Sequence, residues 1–275
     1  MESRSVNVGL DERLARIERL LQSEPFMTVK GLSGALNVST MTIRRDLDRL
    51  AERGTVVRVH GGVMVREKEA PVGEREKTRM VQKEAIARRA LMFIQPGETI
   101  VVDSGTTAAA LARALLTHPV RPLTVVTHAL NVATILLEDS SLHVSVTGGD
   151  LRAGTASLVG PVTRAFYESI RADLAFVTAV GVTEDEGFSN SNFAEAEIKT
   201  TIRSRANRVL ALIDASKCGV RSMVSFAPID GVDQIVTDWE IDPTWEARFR
   251  AHGVHVTMAE PPSERGSDWP DVPLS

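Results

Sequence analysis

Apolar residues recur at helical spacing early in the chain and mark two neighbouring helices. The first carries Val29, Leu32, Ala35 and Leu36, and the second carries Ile43, Leu47 and Leu50. This three- and four-residue period gives each helix one buried stripe. The turn Asn37-Val38 separates them, and the hydroxyl of Ser39 can cap the second helix. The pattern predicts a helix-turn-helix.

A short two-stranded wing is predicted after the second helix. Gly54 is placed to end that helix, and the run Val56-Val57-Arg58-Val59-His60 before Gly61-Gly62 is typical of a strand that enters a turn. Arg58 and His60 share one face of the strand, because strand side chains alternate between faces. Both side chains could therefore lie along a phosphate backbone.

The outer face of the second helix is polar and basic, as contact with DNA requires. The N-terminal part of such a helix enters the major groove, where hydroxyl and arginine side chains meet base edges and phosphates. Between positions 42 and 66, six arginines against three acidic residues give a local charge of +3, in a chain of net charge −4. The candidate DNA-binding residues are Ser39, Thr40, Met41, Thr42, Arg44, Arg45, Arg49, Arg58 and His60.

A purely structural helical bundle is the alternative interpretation of this segment. Asp46, Asp48 and Glu52 interleave with the arginines, and basic amphipathic helices also occur in proteins that do not bind DNA. The wing and the local positive charge favour DNA binding.

Strand-like and helix-like segments alternate through the rest of the chain. Short β-branched or aliphatic runs occupy residues 99–102, 124–127, 144–147, 174–178, 209–213 and 234–237, with helical patterns at 108–116 and 129–137. This alternation predicts an α/β fold with a mostly parallel sheet, whose ligands bind at the carboxyl ends of the strands. We expect a DNA-binding domain at 10–65, a linker at 66–82 with a helix restarting near 81–93, an effector domain at 83–260 and a poorly ordered tail at 261–275.

The loop after the first of these strands has the chemistry of a phosphate cradle. It reads Asp103, Ser104, Gly105, Thr106 and Thr107, and a predicted helix follows it. Glycine permits close approach of the backbone, hydroxyls can donate, and the free N–H groups of a helix start attract an oxyanion. An ordinary strand-to-helix turn with Ser and Thr as caps would have the same composition, so both interpretations stay open here.

Other strand ends add polar groups to the same predicted crevice. The candidates are His128, Gly148, Arg152, Glu195, Lys199 and Lys217. Glu195 and Lys199 lie four residues apart on one helical face, and Lys217 offers a second cation for a phosphate or a ring hydroxyl. A solvent-exposed ion pair between Glu195 and Lys199, and a capping role for His128, are the structural alternatives.

Composition narrows the class of protein. The chain has 275 residues, of which 43% are hydrophobic and 25% are charged, and no apolar run approaches the roughly 20 residues that span a bilayer. Residues 1–9 lack the apolar segment of a signal peptide, so we expect a cytoplasmic protein without membrane contact. The single cysteine, Cys218, has no partner at zinc-like spacing. We predict no metal and no cofactor.

These residues resemble the DeoR family of bacterial transcriptional regulators. Its signature is similar to 13–17 (RLARI), 39–47 (STMTIRRDL) and 58–62 (RVHGG), and in the second half to 103–107 (DSGTT), 146–152 (VTGGDLR), 158–161 (LVGP), 195–199 (EAEIK) and 214–217 (DASK). The resemblance spans about residues 10–239. It implies a winged helix-turn-helix and a sugar-phosphate-sensing domain similar to the ribose-5-phosphate isomerase and CoA-transferase-like fold, with the effector phosphate at Ser104, Gly105, Thr106 and Thr107. Val180 departs from the family pattern, which has a polar residue there, and could change the ligand preference.

The two halves together predict a transcription regulator, a repressor rather than an activator, whose operator affinity changes when a phosphorylated sugar binds. One helix-turn-helix contacts one half-site, so we expect a homo-oligomer joined through the effector domains. We expect no enzymatic activity, because no residue spacing compels catalysis. The alternatives are a sugar-phosphate isomerase or CoA-transferase-like enzyme fused to a DNA-binding module, and a DNA-binding protein whose ligand pocket has decayed.

Overall fold

The computed structural model describes residues 10–23, 26–59, 62–65 and 72–262. The chain divides into two compact units, Met1–Glu69 and Ala70–Ser275, which are described separately. His60, one of the predicted DNA contacts, lies outside the described residues, as do the first part of the predicted linker and the tail from residue 263 onward.

Among its described residues, the N-terminal unit contains three helices and three strands. They are α1 (Leu10–Ser23), β1 (Phe26–Thr28), α2 (Val29–Leu36), α3 (Thr40–Glu52), β2 (Val56–Val59) and β3 (Gly62–Val65). The strands pair antiparallel in the order β1-β3-β2, so the predicted two-stranded wing carries a third strand. Leucine, isoleucine and valine from all three helices and the wing form one buried core. The helix-turn-helix prediction is confirmed.

Strands and helices alternate along the C-terminal unit, as predicted. Within the described residues its strands are β4 (Thr99–Val102), β5 (Thr124–Thr127), β6 (His143–Val146), β7 (Asp150–Arg152), β8 (Ser157–Val159), β9 (Ala172–Thr178), β10 (Gly181–Thr183), β11 (Gly187–Asn190), β12 (Ala206–Leu212), β13 (Val224–Ala227), β14 (Gln234–Thr237) and β15 (His255–Met258). Its helices are α4 (Val72–Lys77), α5 (Met80–Ala90), α6 (Thr106–Leu116), α7 (Leu130–Leu136), α8 (Pro161–Ser169), α9 (Phe193–Arg205) and α10 (Pro243–Ala251).

Seven strands form one sheet in the order β15-β14-β12-β9-β4-β5-β6, and every pairing in it is parallel. The α/β prediction with a mostly parallel sheet is therefore confirmed. The sequence pattern did not predict the edge strand β15, because its side chains are exposed or half-buried and do not form an apolar run. Two smaller sheets, the β7-β8 hairpin and β10-β11-β13, accompany the main one.

Successive side chains of the inner strands enter two apolar layers, one on each face of the sheet. On β4, Ile100 and Val102 pack in one layer and Val101 in the other. On β9, Phe176 joins the first layer and Val177 the second. Strands buried on both faces leave their carboxyl ends as the place where polar side chains converge.

Helix α4 falls inside the segment predicted to be a linker, and α5 begins at Met80, close to the predicted helix start. Across the part of the chain that the structure describes, no helix is both long and apolar enough to cross a membrane.

Candidate functional site

The start of α3 is capped as the sequence predicts. Ser39 has an extended backbone (φ −62°, ψ 150°), and its Oγ accepts a hydrogen bond from the backbone N–H of Thr42 at 3.2 Å. The hydroxyls of Ser39 and Thr42 also lie 2.9 Å apart. Thr40 and Met41 are exposed beside this cap, Met41 to 61%. The first turn of α3 therefore presents small polar groups and one thioether to the solvent.

The exposed face of α3 carries two arginines, Arg44 and Arg45, in its first turns. Arg44 and Arg45 are exposed and, within the described residues, form no ion pair. The opposite face buries Ile43, Leu47 and Leu50. A phosphate backbone could approach Arg44 and Arg45 without first breaking a protein contact.

A buried carboxylate joins α3 to α1. Asp46 is 1% exposed, and the guanidinium of Arg13 donates to it from Nε at 2.5 Å and from Nη2 at 3.0 Å. This hydrogen bond raises the pKa of Arg13. Sequence analysis counted Asp46 among the charges that weaken a DNA-binding interpretation. This structural role explains why an acidic residue stands between Arg45 and Arg49, two of the predicted DNA contacts.

Two of the predicted phosphate contacts lie beside carboxylates. Arg58 on β2 pairs with Asp48 on α3, and Nη1 of Arg49 lies 4.0 Å from Asp46. Arg49 and Arg58 remain exposed, so each could still turn towards a phosphate. Arg58 would first have to leave Asp48.

In the C-terminal unit, the loop after β4 contains a glycine with positive φ at the start of a helix. Gly105 has φ +105°, which glycine adopts readily, and it precedes α6 without a side-chain cap. A Cβ atom at Gly105 would lie 3.2 Å from Oγ1 of Thr178. The backbone at residues 104–107, here called the 104–107 loop, therefore offers the first N–H groups of an eleven-residue helix.

A buried ion pair lies directly beneath this loop. Asp103 is 0% exposed and pairs with Lys199, which is 2% exposed. Thr178 completes the cluster. Its backbone N–H donates to Asp103 at 2.8 Å, and its hydroxyl lies 2.8 Å from the carbonyl oxygen of Ser104. Lys199 is thus connected through Asp103 and Thr178 to the loop backbone.

His128 extends the buried network after β5. Its Nδ1 lies 3.0 Å from the hydroxyl of Tyr167, and its Nε2 lies 3.6 Å from Oδ1 of Asp103. Burial lowers the pKa of His128 to about 4, so the ring is neutral near pH 7. Neither Nε2 of His128 nor Oδ1 of Asp103 has a hydrogen-bond partner in the structure. Oδ1 of Asp103 can accept a further hydrogen bond, and Nε2 of His128 can accept or donate one, depending on the tautomer of the ring.

Sequence analysis missed Tyr167, the chain's single tyrosine. It is fully buried on α8, and burial raises the pKa of its phenol well above the ordinary value. The sequence does not indicate this contact, because Tyr167 lies inside a helix and 39 residues after His128.

Glu195 and Lys199 do not form the surface ion pair that their spacing allowed, because both are buried. Glu195 turns towards the β7-β8 hairpin, where the hydroxyl of Ser157 donates to it at 3.1 Å and Nε of Arg152 lies 3.5 Å away. Lys199 turns towards Asp103. Helix α9 therefore delivers an anion and a cation to two neighbouring parts of the same edge.

Gly148 and Lys217 occupy different positions from the rest of the predicted set. The carbonyl of Gly148 accepts from Thr163 at 2.7 Å, in the turn between β6 and β7. Lys217 ends a short 3₁₀ turn after β12 and is half-buried. In the described part of the chain, no hydrogen bond or ion pair joins Lys217 to the Asp103 cluster.

A second ionic cluster at this edge was not predicted. Arg79, on the segment before α5, contacts Asp214 after β12 and Asp238 after β14. Nearby, burial raises the pKa of Cys218 to about 12, which makes its thiol a poor nucleophile. Searched over the described residues, the structure contains no cluster of His, Cys, Asp and Glu that could hold a metal ion.

Two family models match the chain in the order of its two units. The DeoR-like helix-turn-helix domain matches residues 13–69, and the DeoR C terminal sensor domain matches residues 78–239. The C-terminal model thus contains the 104–107 loop and the buried network below it.

Two regulators are similar to this chain over most of its length. The HTH-type transcriptional regulator GolR of Listeria innocua is 36% identical over 90% of this chain and 98% of its own. The glycerol-3-phosphate regulon repressor of Escherichia coli is 33% identical, over 81% of this chain and 88% of its own. Ribose 5 phosphate isomerase A from Neisseria gonorrhoeae is a weak structural match, with 16% identity and a TM-score of 0.38 over 50% of this chain and 53% of that one. A likeness at that score supports no functional inference.

Proposed function

This chain belongs to the DeoR family of DNA-binding transcriptional regulators, and from that premise we propose that it is a repressor whose affinity for DNA is lowered or raised by a phosphorylated sugar or a related metabolite. The observation that carries the proposal is the 104–107 loop, where an uncapped helix start lies above a buried network of Asp103, Lys199 and His128. A phosphate at the loop would bring a sugar hydroxyl towards the unpartnered atoms of Asp103 and His128.

The proposed DNA contacts are the side chains at the start of α3 and on the wing. Arg44 and Arg45 are the strongest of them, because both are exposed and neither is held by a carboxylate in the described part of the chain. Thr40 and Met41 would meet base edges, while Ser39 holds the helix start in place.

Sensing explains the buried network better than catalysis does. A general base needs a carboxylate or an amine that is free to exchange a proton with substrate. Asp103 and Lys199 are instead paired with each other. We therefore propose that the chain is not an enzyme, that it acts in the cytoplasm where its DNA is, and that it forms a symmetric homo-oligomer to contact two half-sites.

Calorimetric titration of the full chain with glycerol 3-phosphate and a set of pentose and hexose phosphates tests this proposal. We expect saturable binding of at least one compound and no product. Gly105→Val should weaken that binding about tenfold or more, because the new side chain meets Thr178 in a strained backbone. Gly97→Val is the matched control, since Gly97 also has a positive φ (+84°) but has open space around it and precedes β4. Turnover, or unchanged binding by Gly105→Val, would contradict the assignment.

A further inference from the structure

The first helix of the C-terminal unit is fixed at its carboxyl end by an arginine in an unusual backbone conformation. Arg79 has φ +53°, which is uncommon for a residue with a side chain. Its Nε lies 3.0 Å from Asp214, and its Nη2 lies 3.2 Å from Asp238 and 2.8 Å from Glu240. Asp214 and Asp238 are buried, so Arg79 compensates two carboxylates at the ends of β12 and β14.

The same helix is held on its other side by two further contacts. Nη2 of Arg75 donates to the carbonyl oxygen of Gly154 at 3.2 Å, in the turn of the β7-β8 hairpin. Glu76 lies 3.3 Å from Nη2 of Arg113 in the last turn of α6, at the end of that helix away from the 104–107 loop. Helix α4 is thereby tied to the hairpin and to α6.

A buried lysine holds the end of α4 from below. Nζ of Lys83 donates to the carbonyl oxygens of Arg75 at 2.5 Å and Thr78 at 2.6 Å, which are carbonyls that the helix itself leaves without partners. Lys83 is 7% exposed. Burial lowers the pKa of its amine to about 8. The buried amine of Lys83 therefore fixes the position of the backbone at the end of α4.

The strand order places these contacts on both sides of the candidate effector site. The neighbouring strands run β14-β12-β9-β4-β5-β6, and the 104–107 loop follows β4. Arg79 is anchored at the ends of β14 and β12, on one side of that loop. The hairpin lies on the other side, where the N–H of Leu158 donates to the carbonyl of His128 after β5 at 2.7 Å.

We propose that residues 72–79 form a strap across the carboxyl edge of the sheet, latched by Arg79 on one side and by Arg75 on the other, which covers the 104–107 loop and must open to admit the effector. The inference rests on the proposed function for the identity of that site. Residues 72–79 also follow directly, along the chain, the segment that leaves the DNA-binding unit. The affinity for DNA would therefore differ between the open and the closed strap, and an effector that binds one state better than the other would change that affinity.

Amide hydrogen exchange of the full-length protein tests the strap in the absence and presence of glycerol 3-phosphate, glucose 6-phosphate and inorganic phosphate. Arg79→Met and Arg75→Met should each speed exchange at residues 72–83 by about tenfold or more without a probe. Arg250→Met is the matched control, because it also breaks an arginine ion pair, with Glu246 on α10, but far from the strap in sequence. Two variants are needed, since Arg79→Met leaves two buried carboxylates without their cation and could destabilise the unit, whereas Arg75→Met removes the hydrogen bond to the carbonyl oxygen of Gly154.

The strap also predicts faster ligand entry. A probe that protects residues 104–111 in the wild type should bind to Arg75→Met with a higher association rate, and should alter exchange at residues 72–83. Unchanged exchange at residues 72–83 in both strap variants would overturn the strap. Protection of residues 104–111 with neither faster binding nor any change at 72–83 would overturn it as a cover. If no probe protects residues 104–111 in any variant, the proposed effector class fails, while the exchange without a probe still decides whether the strap is latched.

Discussion

At the scale of single residues, the sensor unit depends on charges that are buried in pairs. Asp103 and Lys199 compensate each other, and Thr178 connects them to the backbone of the 104–107 loop. A buried pair of this kind contributes little net stability, but loss of one partner leaves the other uncompensated. Through Thr178, the pair instead holds the 104–107 loop in a defined position.

The neutral state of His128 predicts a specific loss of stability in acid. Its pKa is lowered from 6.5 to about 4 by burial, so between these values the unfolded chain binds a proton that the folded chain does not. Stability is therefore lost as the pH falls from 6.5 to 4, by about 3 kcal/mol for this one group. Burial alone would raise the pKa of Asp103, but Lys199 beside it lowers that pKa overall, and this change acts in the same direction.

Urea unfolding followed by tryptophan fluorescence measures this loss. The signal reports on the C-terminal unit, which contains His128, because all three tryptophans follow residue 238. His128→Asn should be less stable near pH 7 but should lose much less stability on acidification than the wild type. His255→Asn, at an exposed position on β15, should keep the wild-type pH dependence. Equal slopes for all three proteins would show that His128 is not the group that titrates.

The predicted site residues include those that follow strands and two on α9, Glu195 and Lys199, but not Tyr167 or Arg79. Asp103 and His128 come directly after apolar runs, and parallel strands bring their carboxyl ends to one edge. Tyr167 and Arg79 reach the same edge through tertiary contacts, and neither lies in a pattern that predicts them. Asp46 was named only as one of the acidic residues that interleave with the arginines, because its burial beside Arg13 depends on how α1 packs on α3.

At the scale of elements, the two faces of α3 differ, because one packs into the core and the other is exposed to solvent. One face buries Ile43 and Leu47 in the core, and the other leaves Arg44 and Arg45 in solvent. A residue on the exposed face can be replaced without creating a cavity, so its effect on DNA binding can be measured apart from folding.

Arg44→Ala and Arg45→Ala should each weaken binding to operator DNA, and each should reduce the slope of log affinity against log salt by about 1 if the lost contact is to phosphate. Fluorescence anisotropy over a series of salt concentrations provides both numbers. Arg250→Ala removes the same charge from α10 and should leave the slope unchanged. Wild-type affinity in both α3 variants would contradict the assignment of α3 as the recognition helix.

Helices and strands were predictable where apolar residues recur at a regular spacing. They were not predictable where the element is only partly buried. The inner strands β4, β5 and β14 have the predicted bounds, because they are buried on both faces. The edge strand β15 and the hairpin strand β7 have exposed positions, and β8 has only three residues, so none of them forms an apolar run that predicts a strand. Helix α4 was assigned to a linker because its sequence is charged, and its position depends on Arg75, Arg79 and Lys83.

At the scale of the whole molecule, the chain combines a unit with exposed cations and a unit with a buried polar site. Regulation requires that a ligand at the second unit change the DNA affinity of the first, which is possible only if the ligand binds two states of the protein unequally. The strap is the described segment nearest in sequence to the junction of the two units at Glu69 and Ala70.

Titration of a DNA fragment, selected by the full chain from random sequence, with and without each sugar phosphate tests the central claim most directly. We predict that at least one compound changes the affinity for that fragment by a factor between about 5 and 150, the usual range of allosteric coupling. Gly105→Val should bind the same DNA without responding. Failure to select any specific DNA, or an unchanged affinity in the presence of a sugar phosphate that demonstrably binds the protein, would contradict the account.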